Sequence, residues 1–233
     1  MEKRESYRNN LPHFQQPGQA YFLTWTLHEA IPPKALVSYT RKLEMLKSQM
    51  GDANSDSRTI RRRESEFASP VHETEIDKLM LEYYSLRKKY IKAYDDLLDS
   101  VRNPAINLAK SENTEIIIES LQFWEGKRLK NLAFCIMPNH IHWVVELLEK
   151  DNKEQLVYLQ DILQSVKRFS SSQINKLENR GGALWQRESF DTTIRDEKHL
   201  YYAISYTLNN PVKAGLVSDW RDWKGTWNGY REF

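Results

Sequence analysis

Two histidines one residue apart carry the strongest chemical signal in this chain of 233 residues. They are His140 and His142, in the run Met137-Pro138-Asn139-His140-Ile141-His142-Trp143-Val144-Val145. Imidazole is the commonest side-chain metal ligand and titrates near neutrality. In a β-strand, residues i and i+2 share one face. The two rings would therefore project together, with Ile141 and Trp143 packed on the other side. Pro138-Asn139 reads as a tight turn leading into that strand, since Pro presets φ at the second turn position and Asn tolerates the third. A His-x-His pair alone is a weak motif, and its weight depends on what else the fold brings to it.

A second group falls on a predicted helix from Asp196 to about Asn210. Asp196 and Glu197 suit the positive end of the helix dipole, and Pro211 is expected to stop the helix near Asn210. Tyr206 and Asn210 are four residues apart and so share a helical face. Leu200, Tyr201, Ile204 and Leu208 supply an apolar stripe that can dock the helix on a sheet.

Four ordered motifs then resemble the HUH single-tyrosine transposase superfamily, and more closely its REP-associated tyrosine transposase branch. They are the opening Leu11-Pro12-His13-Phe14 with Tyr21-Phe22-Leu23-Thr24-Trp25, the histidine run, and Leu184-Trp185-Gln186-Arg187 with Phe190-Asp191 and Ile194-Arg195. The fourth is Tyr206-x-x-x-Asn210-Pro211-Val212-Lys213-Ala214-Gly215-Leu216-Val217. The resemblance implies cleavage and rejoining of single-stranded DNA by transesterification, with Tyr206 as nucleophile and a 5′-phosphotyrosine intermediate. It implies a divalent metal held by His140 and His142, with Asn210 where the family places its third ligand; the insertion-sequence branch commonly uses Gln there. A mixed nitrogen and oxygen ligand set suits Mn²⁺ on softness, while abundance favours Mg²⁺. The implied partner is single-stranded or hairpin DNA, with no small-molecule substrate, and relatives act both as monomers and as dimers that exchange tyrosine helices.

Other residues are expected to touch DNA. Between Lys167 and Arg195 the charges lean basic: Lys167, Arg168, Lys176, Arg180, Arg187 and Arg195 against Glu178, Glu188 and Asp191. Such a patch can track phosphates, and Lys167 resembles a lysine common in the family. Trp185, Gln186 and Arg187 can contact bases or phosphate. Glu146 shares the strand face of both histidines and is expected to orient one of them.

The elements that must position these residues follow from pattern. Tyr21 to Leu27 reads as a first strand. Leu36, Tyr39, Leu43, Leu46 and Met50 recur at helical spacing, Gly51 to Pro70 reads as a polar loop, and Ile76 to Leu97 marks a long helix. These helices are expected to form a hairpin inserted at about 35–105 in one catalytic domain spanning 1–233. A helix from Thr114 to Phe123, a strand from Arg128 to Met137 and the histidine strand to about Leu148 follow. A helix from about Lys153 to Leu177, a Gly181-Gly182 break and a strand from about Leu184 to Arg195 precede the tyrosine helix. The order predicts an α+β fold, a ferredoxin-like antiparallel sheet with packed helices; by resemblance this is the HUH endonuclease fold. Trp220, Trp223 and Trp227 read as aromatic packing in the tail.

With 34 Lys+Arg against 32 Asp+Glu, bulk charge argues neither for nor against a nucleic-acid partner. The single Cys135 excludes an intrachain disulfide and fits a reducing compartment. The polar start does not read as a signal peptide, and no apolar run approaches membrane-spanning length, so a cytoplasmic protein is expected. Two other functions fit some of these residues. One is a DNA-binding regulator that kept the fold without turnover. The other is a metal phosphodiesterase using water, with Tyr206 structural. A two-histidine-motif phosphoesterase is disfavoured because His13, His28, His72 and His199 have no histidine partner nearby in sequence.

Overall fold

A computed structural model describes residues 6–8, 12–14, 16–30, 35, 37–63, 71–100, 104–187 and 189–230. The chain divides into two compact units, Ile31–Asp99 and the residues on either side of that segment. In the first, α1 (Val37–Arg63) and α2 (Val71–Ser100) pack against each other. Tyr39 meets Tyr90 at 6.3 Å between ring centroids, and Lys47 Nζ lies 5.7 Å from the Tyr83 ring. As one position of each pair rises the other falls, so the helices run antiparallel. The polar segment expected to be a loop from Gly51 is helical through Arg63 instead; residues 64–70 lie outside the described set. Once nucleated, a helix gains a hydrogen bond per added residue, and Gly51 opposes this by only about 1 kcal/mol.

The second unit holds the histidines. Strands β1 (Ser6–Arg8) and β2 (Pro12–Phe14) form a small ribbon; Leu11 of the opening motif lies outside the described residues. The main run is β3 (Ala20–Thr26), α3 (Ser111–Gln122), β4 (Leu129–Ile136), β5 (His140–Leu147), α4 (Leu159–Leu177) and β6 (Phe190–Thr193). It continues through α5 (Glu197–Lys213), a 3₁₀ turn at Trp220–Asp222 and β7 (Thr226–Asn228). The sheet order is β6-β3-β5-β4-β7, with every neighbouring pair antiparallel. Without β7 this is the βαββαβ ferredoxin-like arrangement, as the element order predicts.

Strand alternation sorts the sheet into two faces. On one, Leu23 pairs with Trp143, Trp25 with Ile141 and Phe134 with Trp143, all buried. This face carries α3 and α4: Asn131 donates to the Leu121 carbonyl of α3, and Trp185 packs on Trp25 and donates to Ser170 of α4. On the other, Thr24 pairs with His142 and Phe22 with Val144. There α5 docks, burying Ala203, Ile204 and Leu208 against Leu132, Ala133 and Val144. A bulge between Asn131 and Ala133 lets Leu132 and Ala133 both reach this layer. The tail closes beside β4, with Trp227 stacked on Phe134 at 5.3 Å and Trp223 bonded to the Ile136 carbonyl.

Three expected boundaries move. Helix α4 starts at Leu159 because the Asp151 carboxylate accepts the N–H groups of Lys153 and Gln155, a local turn that competes with helix. The strand expected over Leu184 to Arg195 is confined to Phe190–Thr193, with Leu27↔Trp185 an isolated bridge. Pro211 lies inside α5 rather than ending it. A proline removes the bond to the carbonyl four residues back and crowds that carbonyl, and the burial of Asn210 and Pro211 outweighs that cost near the end of the helix. Among the described residues, no helix is long and apolar enough to cross a membrane.

Because Ile204 is fully buried between α5 and the sheet, Ile204→Ala should cost about 2–5 kcal/mol. Urea denaturation checks this; a loss below about 1 kcal/mol would mean α5 is only loosely docked.

Candidate active site

The turn before β5 is fixed by backbone. Met137 N–H bonds to the His140 carbonyl, while the Pro138 and Asn139 carbonyls accept from Leu108 and Leu27. From this hairpin His140 and His142 project beneath α5, each about 1% exposed. Their Nε2 atoms lie 3.1 Å apart. Each Nδ1 has its own partner, Asn139 Oδ1 at 2.7 Å for His140 and Thr24 Oγ1 at 2.8 Å for His142. Glu146, expected to orient a histidine, is exposed and pairs with Ala20 near the far end of β5. The strand register assigns that task to Thr24, a residue the motif reading passed over because its signal is a pairing across 118 positions.

These contacts define a chain of neutral groups. An imidazole pair held this close can share one proton between its Nε2 atoms. With His140 Nδ1–H donating to Asn139, His142 Nε2–H donates to His140, and the Thr24 hydroxyl donates to His142 Nδ1. If His142 instead carries its proton on Nδ1, Thr24 accepts it and both Nε2 lone pairs face the same point. A hydroxyl can do either, so Thr24 supports both tautomers. Burial pushes the His140 pKa down to about 3, helped by the Lys213 cation and opposed by the nearby Asn210 amide. His142 is held well below its ordinary value by burial, then by His140 and Lys213. Both rings are neutral at pH 7, the form that binds metal.

Helix α5 brings the other two residues in. The Tyr206 ring, half-buried, meets His142 edge-on at 5.2 Å and Phe22 at 5.8 Å, while Phe22 stacks on His142 at 5.7 Å. One turn on, Asn210 is buried with neither amide atom hydrogen-bonded, although the amide is near enough to favour a charged His140. A buried amide without partners is costly, and coordination of its oxygen to a cation would offset that cost. Two imidazole nitrogens and one amide oxygen form a donor set that suits a divalent transition metal. No cluster of three or more His, Cys, Asp or Glu that could hold a metal occurs among the described residues. Lys213 reaches the same place because α5 runs past Pro211, and its Nζ lies 5.6 Å from the Tyr206 ring centroid.

The residues expected to contact DNA divide. Lys167, Arg168, Gln186 and Arg187 line one groove of about 730 Å³ between α4 and the segment after Gly182. Lys167 Nζ donates to the Gln186 carbonyl, and Gln186 N–H to that of Thr26, the residue paired with His140. Trp185 lines the groove but is 7% exposed, packed on Trp25 with its N–H bonded to Ser170. As placed, its ring is core and not a free stacking surface. Arg195 is exposed beyond the far end of β6, away from that groove, because the strand carries the chain to the Tyr21 end of β3.

No family model matches the chain. Over 106 residues it is 35% identical to a Haemophilus influenzae protein named "Putative REP-associated tyrosine transposase", the match covering 44% of this chain and 60% of that one. Over 94 residues it is 30% identical to an uncharacterized protein of the same organism, covering 34% and 52%. The match thus spans between half and two-thirds of each relative. The fold is also similar, with a TM-score of 0.49 and 13% identity over 94% of this chain and 82% of the other, to a solved structure of a REP-associated tyrosine transposase bound to a REP hairpin. The name of the first of these relatives is that of the family the four motifs resemble.

The buried histidines predict acid sensitivity. Folding lowers both imidazole pKa values, so below about pH 6.5 the unfolded chain binds protons that the folded protein refuses. Their effect on stability is absent above that pH. It grows as the pH falls, by up to about 1.4 kcal/mol per pH unit for each ring. Denaturation midpoints at pH 7.5 and 5.0 should differ, and less so in His142→Gln; identical midpoints would show that the folded pair takes up protons.

Proposed function

We propose that this protein is a metal-dependent single-stranded DNA transposase or endonuclease that cuts and rejoins strands through a 5′-phosphotyrosine on Tyr206, at hairpin-forming repeat sequences. The observation that carries the reading is the convergence of Tyr206, the paired His140 and His142 Nε2 atoms and the unpartnered Asn210 amide beneath one helix. The 35% identity to a protein named as a REP-associated tyrosine transposase supports it. His140, His142 and Asn210 would hold the metal. When bound, a divalent cation supplies Lewis-acid neutralisation of charge on the attacked phosphate.

The residues divide the remaining work. Tyr206 Oη forms the new bond to phosphorus as the bond to the 3′-oxygen breaks; the phenolic proton passes to water, and the leaving oxygen takes one up. A phosphodiester is replaced by a phosphotyrosine ester, so rejoining needs no external energy source. Phe22 and His142, stacked on each other, both pack edge-on against the Tyr206 ring, which restricts the direction of attack. Thr24 and Asn139 orient the imidazoles. Lys167, Arg168, Gln186 and Arg187 line a second surface suited to a polynucleotide backbone.

Tyr206→Phe should fold and bind DNA but form no covalent adduct, because only the nucleophilic oxygen is lost. The check is a denaturation-resistant band with labelled hairpin DNA and Mn²⁺; adduct from Tyr206→Phe would transfer the role to Tyr201, Tyr202 or Tyr230. His140→Ala or His142→Ala should lose cleavage at least a hundredfold while keeping metal-free DNA binding. A protein that binds hairpins yet never forms adduct would instead be a regulator, and release of two free ends would indicate hydrolysis by water.

Asn210→Ala should weaken Mn²⁺ binding by titration calorimetry and recover part of its cleavage at high Mn²⁺, whereas Asn210→Gln, which keeps an amide oxygen, should retain more of both. Normal metal affinity in Asn210→Ala would remove it from the site. Fully paired duplex should resist cutting, since a nucleophile held against a sheet needs a flexible phosphate to reach in-line geometry; equal cutting of duplex and single strand would contradict the assignment.

A further inference from the structure

Helix α5 has a second ordered face. At about 100° per residue, Lys198, Tyr202, Asn209 and Lys213 fall within an arc of about 60°, and Tyr206 borders that arc on the side of the histidines. All four are exposed, whereas Ala203, Ile204, Thr207, Leu208, Asn210 and Pro211 form the buried face. Tyr202 stands one turn before Tyr206, a rise of about 6 Å. It exposes 58% of its surface, beside Tyr201 at 56%, with the two rings 5.9 Å apart and edge to face. Among the described residues, neither ring is part of the core clusters beneath α5. A large aromatic left this open gains by being covered, and every nucleobase has a π-face that can cover it. At the other end Lys213 Nζ lies over the Tyr206 ring, 5.6 Å from its centroid, which puts a cation beside the proposed nucleophile.

The geometry points to this ridge as the seat of the strand being cut: Tyr202 stacks on a base next to the scissile phosphate, Lys213 holds that phosphate, and Lys198 meets a phosphate further along. The ridge complements single-stranded DNA in two respects, cations for phosphates and an open ring for a base, and it is continuous with Tyr206. It takes one strand because a paired duplex keeps its base faces stacked on each other. This inference rests on the reading of Tyr206 as a nucleophile toward single-stranded DNA.

The test uses the full chain carrying Tyr206→Phe, so that binding is read without cleavage, and a single-stranded oligonucleotide with 2-aminopurine placed in turn beside the cleavage position. Stacking on Tyr202 should quench the base analogue at one placement. Adding Tyr202→Ala should remove that quench and weaken binding about tenfold, while Tyr202→Phe and Tyr202→Trp stay within about twofold of the parent. Lys213→Met should lower the slope of log affinity against log salt by about one, and Lys213→Arg should keep it. Unchanged quenching and affinity in Tyr202→Ala, or an unchanged slope in Lys213→Met, would overturn the ridge while leaving the proposed function standing. Failure of the Tyr206→Phe chain to bind any single strand would remove both.

Discussion

The register between β3 and β5 is the constraint on which the site depends. Because Thr24 lies opposite His142 and Thr26 opposite His140, the two imidazoles rise on the face that also carries Phe22, which backs Tyr206. A slip of one residue would turn both rings into the α3–α4 layer and bring Ile141 and Trp143 out under α5. That slip is opposed by the large side chains the other face buries, Leu23, Trp25, Phe134 and Trp143 among them. The apolar layer beneath the sheet thus determines which way the chemistry faces above it.

The second dependence is the docking of α5. Its apolar stripe closes over Leu132, Ala133 and Val144, and the same docking forces Asn210 into a place without a hydrogen-bond partner. An unsatisfied buried amide costs about 1–3 kcal/mol, and two depressed imidazole pKa values add an acid-dependent penalty. Helix position therefore couples two events: Tyr206 and Asn210 reach the histidines together or not at all.

The continuation of α5 past Pro211 matters for the same reason. A helix ended at Asn210 would leave Lys213 on an unrestrained loop; the extra turn carries it back over Tyr206. The polar groove along α4 has a separate origin, yet it meets the site through one backbone bond, from Gln186 to Thr26.

Much of this was legible from residue order alone. The i, i+2 spacing of His140 and His142 sufficed to put them on one strand face, and the four-residue spacing of Tyr206 and Asn210 to put them on one helical face, because those periods are properties of the backbone. The apolar runs of β3, β4 and β5 and the stripe of α5 likewise gave the α+β order. What tertiary structure alone decided is whatever depends on partners distant in the chain. Thr24 orients His142 through a pairing that no local pattern encodes, and Trp185 is core because Trp25 and Ser170 enclose it. Glu146, on the correct face, stands too far along β5 to act on either histidine. Pro211 stays helical, and the segment after Gly51 winds on to Arg63, because packing and cooperative propagation override local preference. Spacing determines which side chains share a face; only the folded sheet and docked helix determine what each of them meets there.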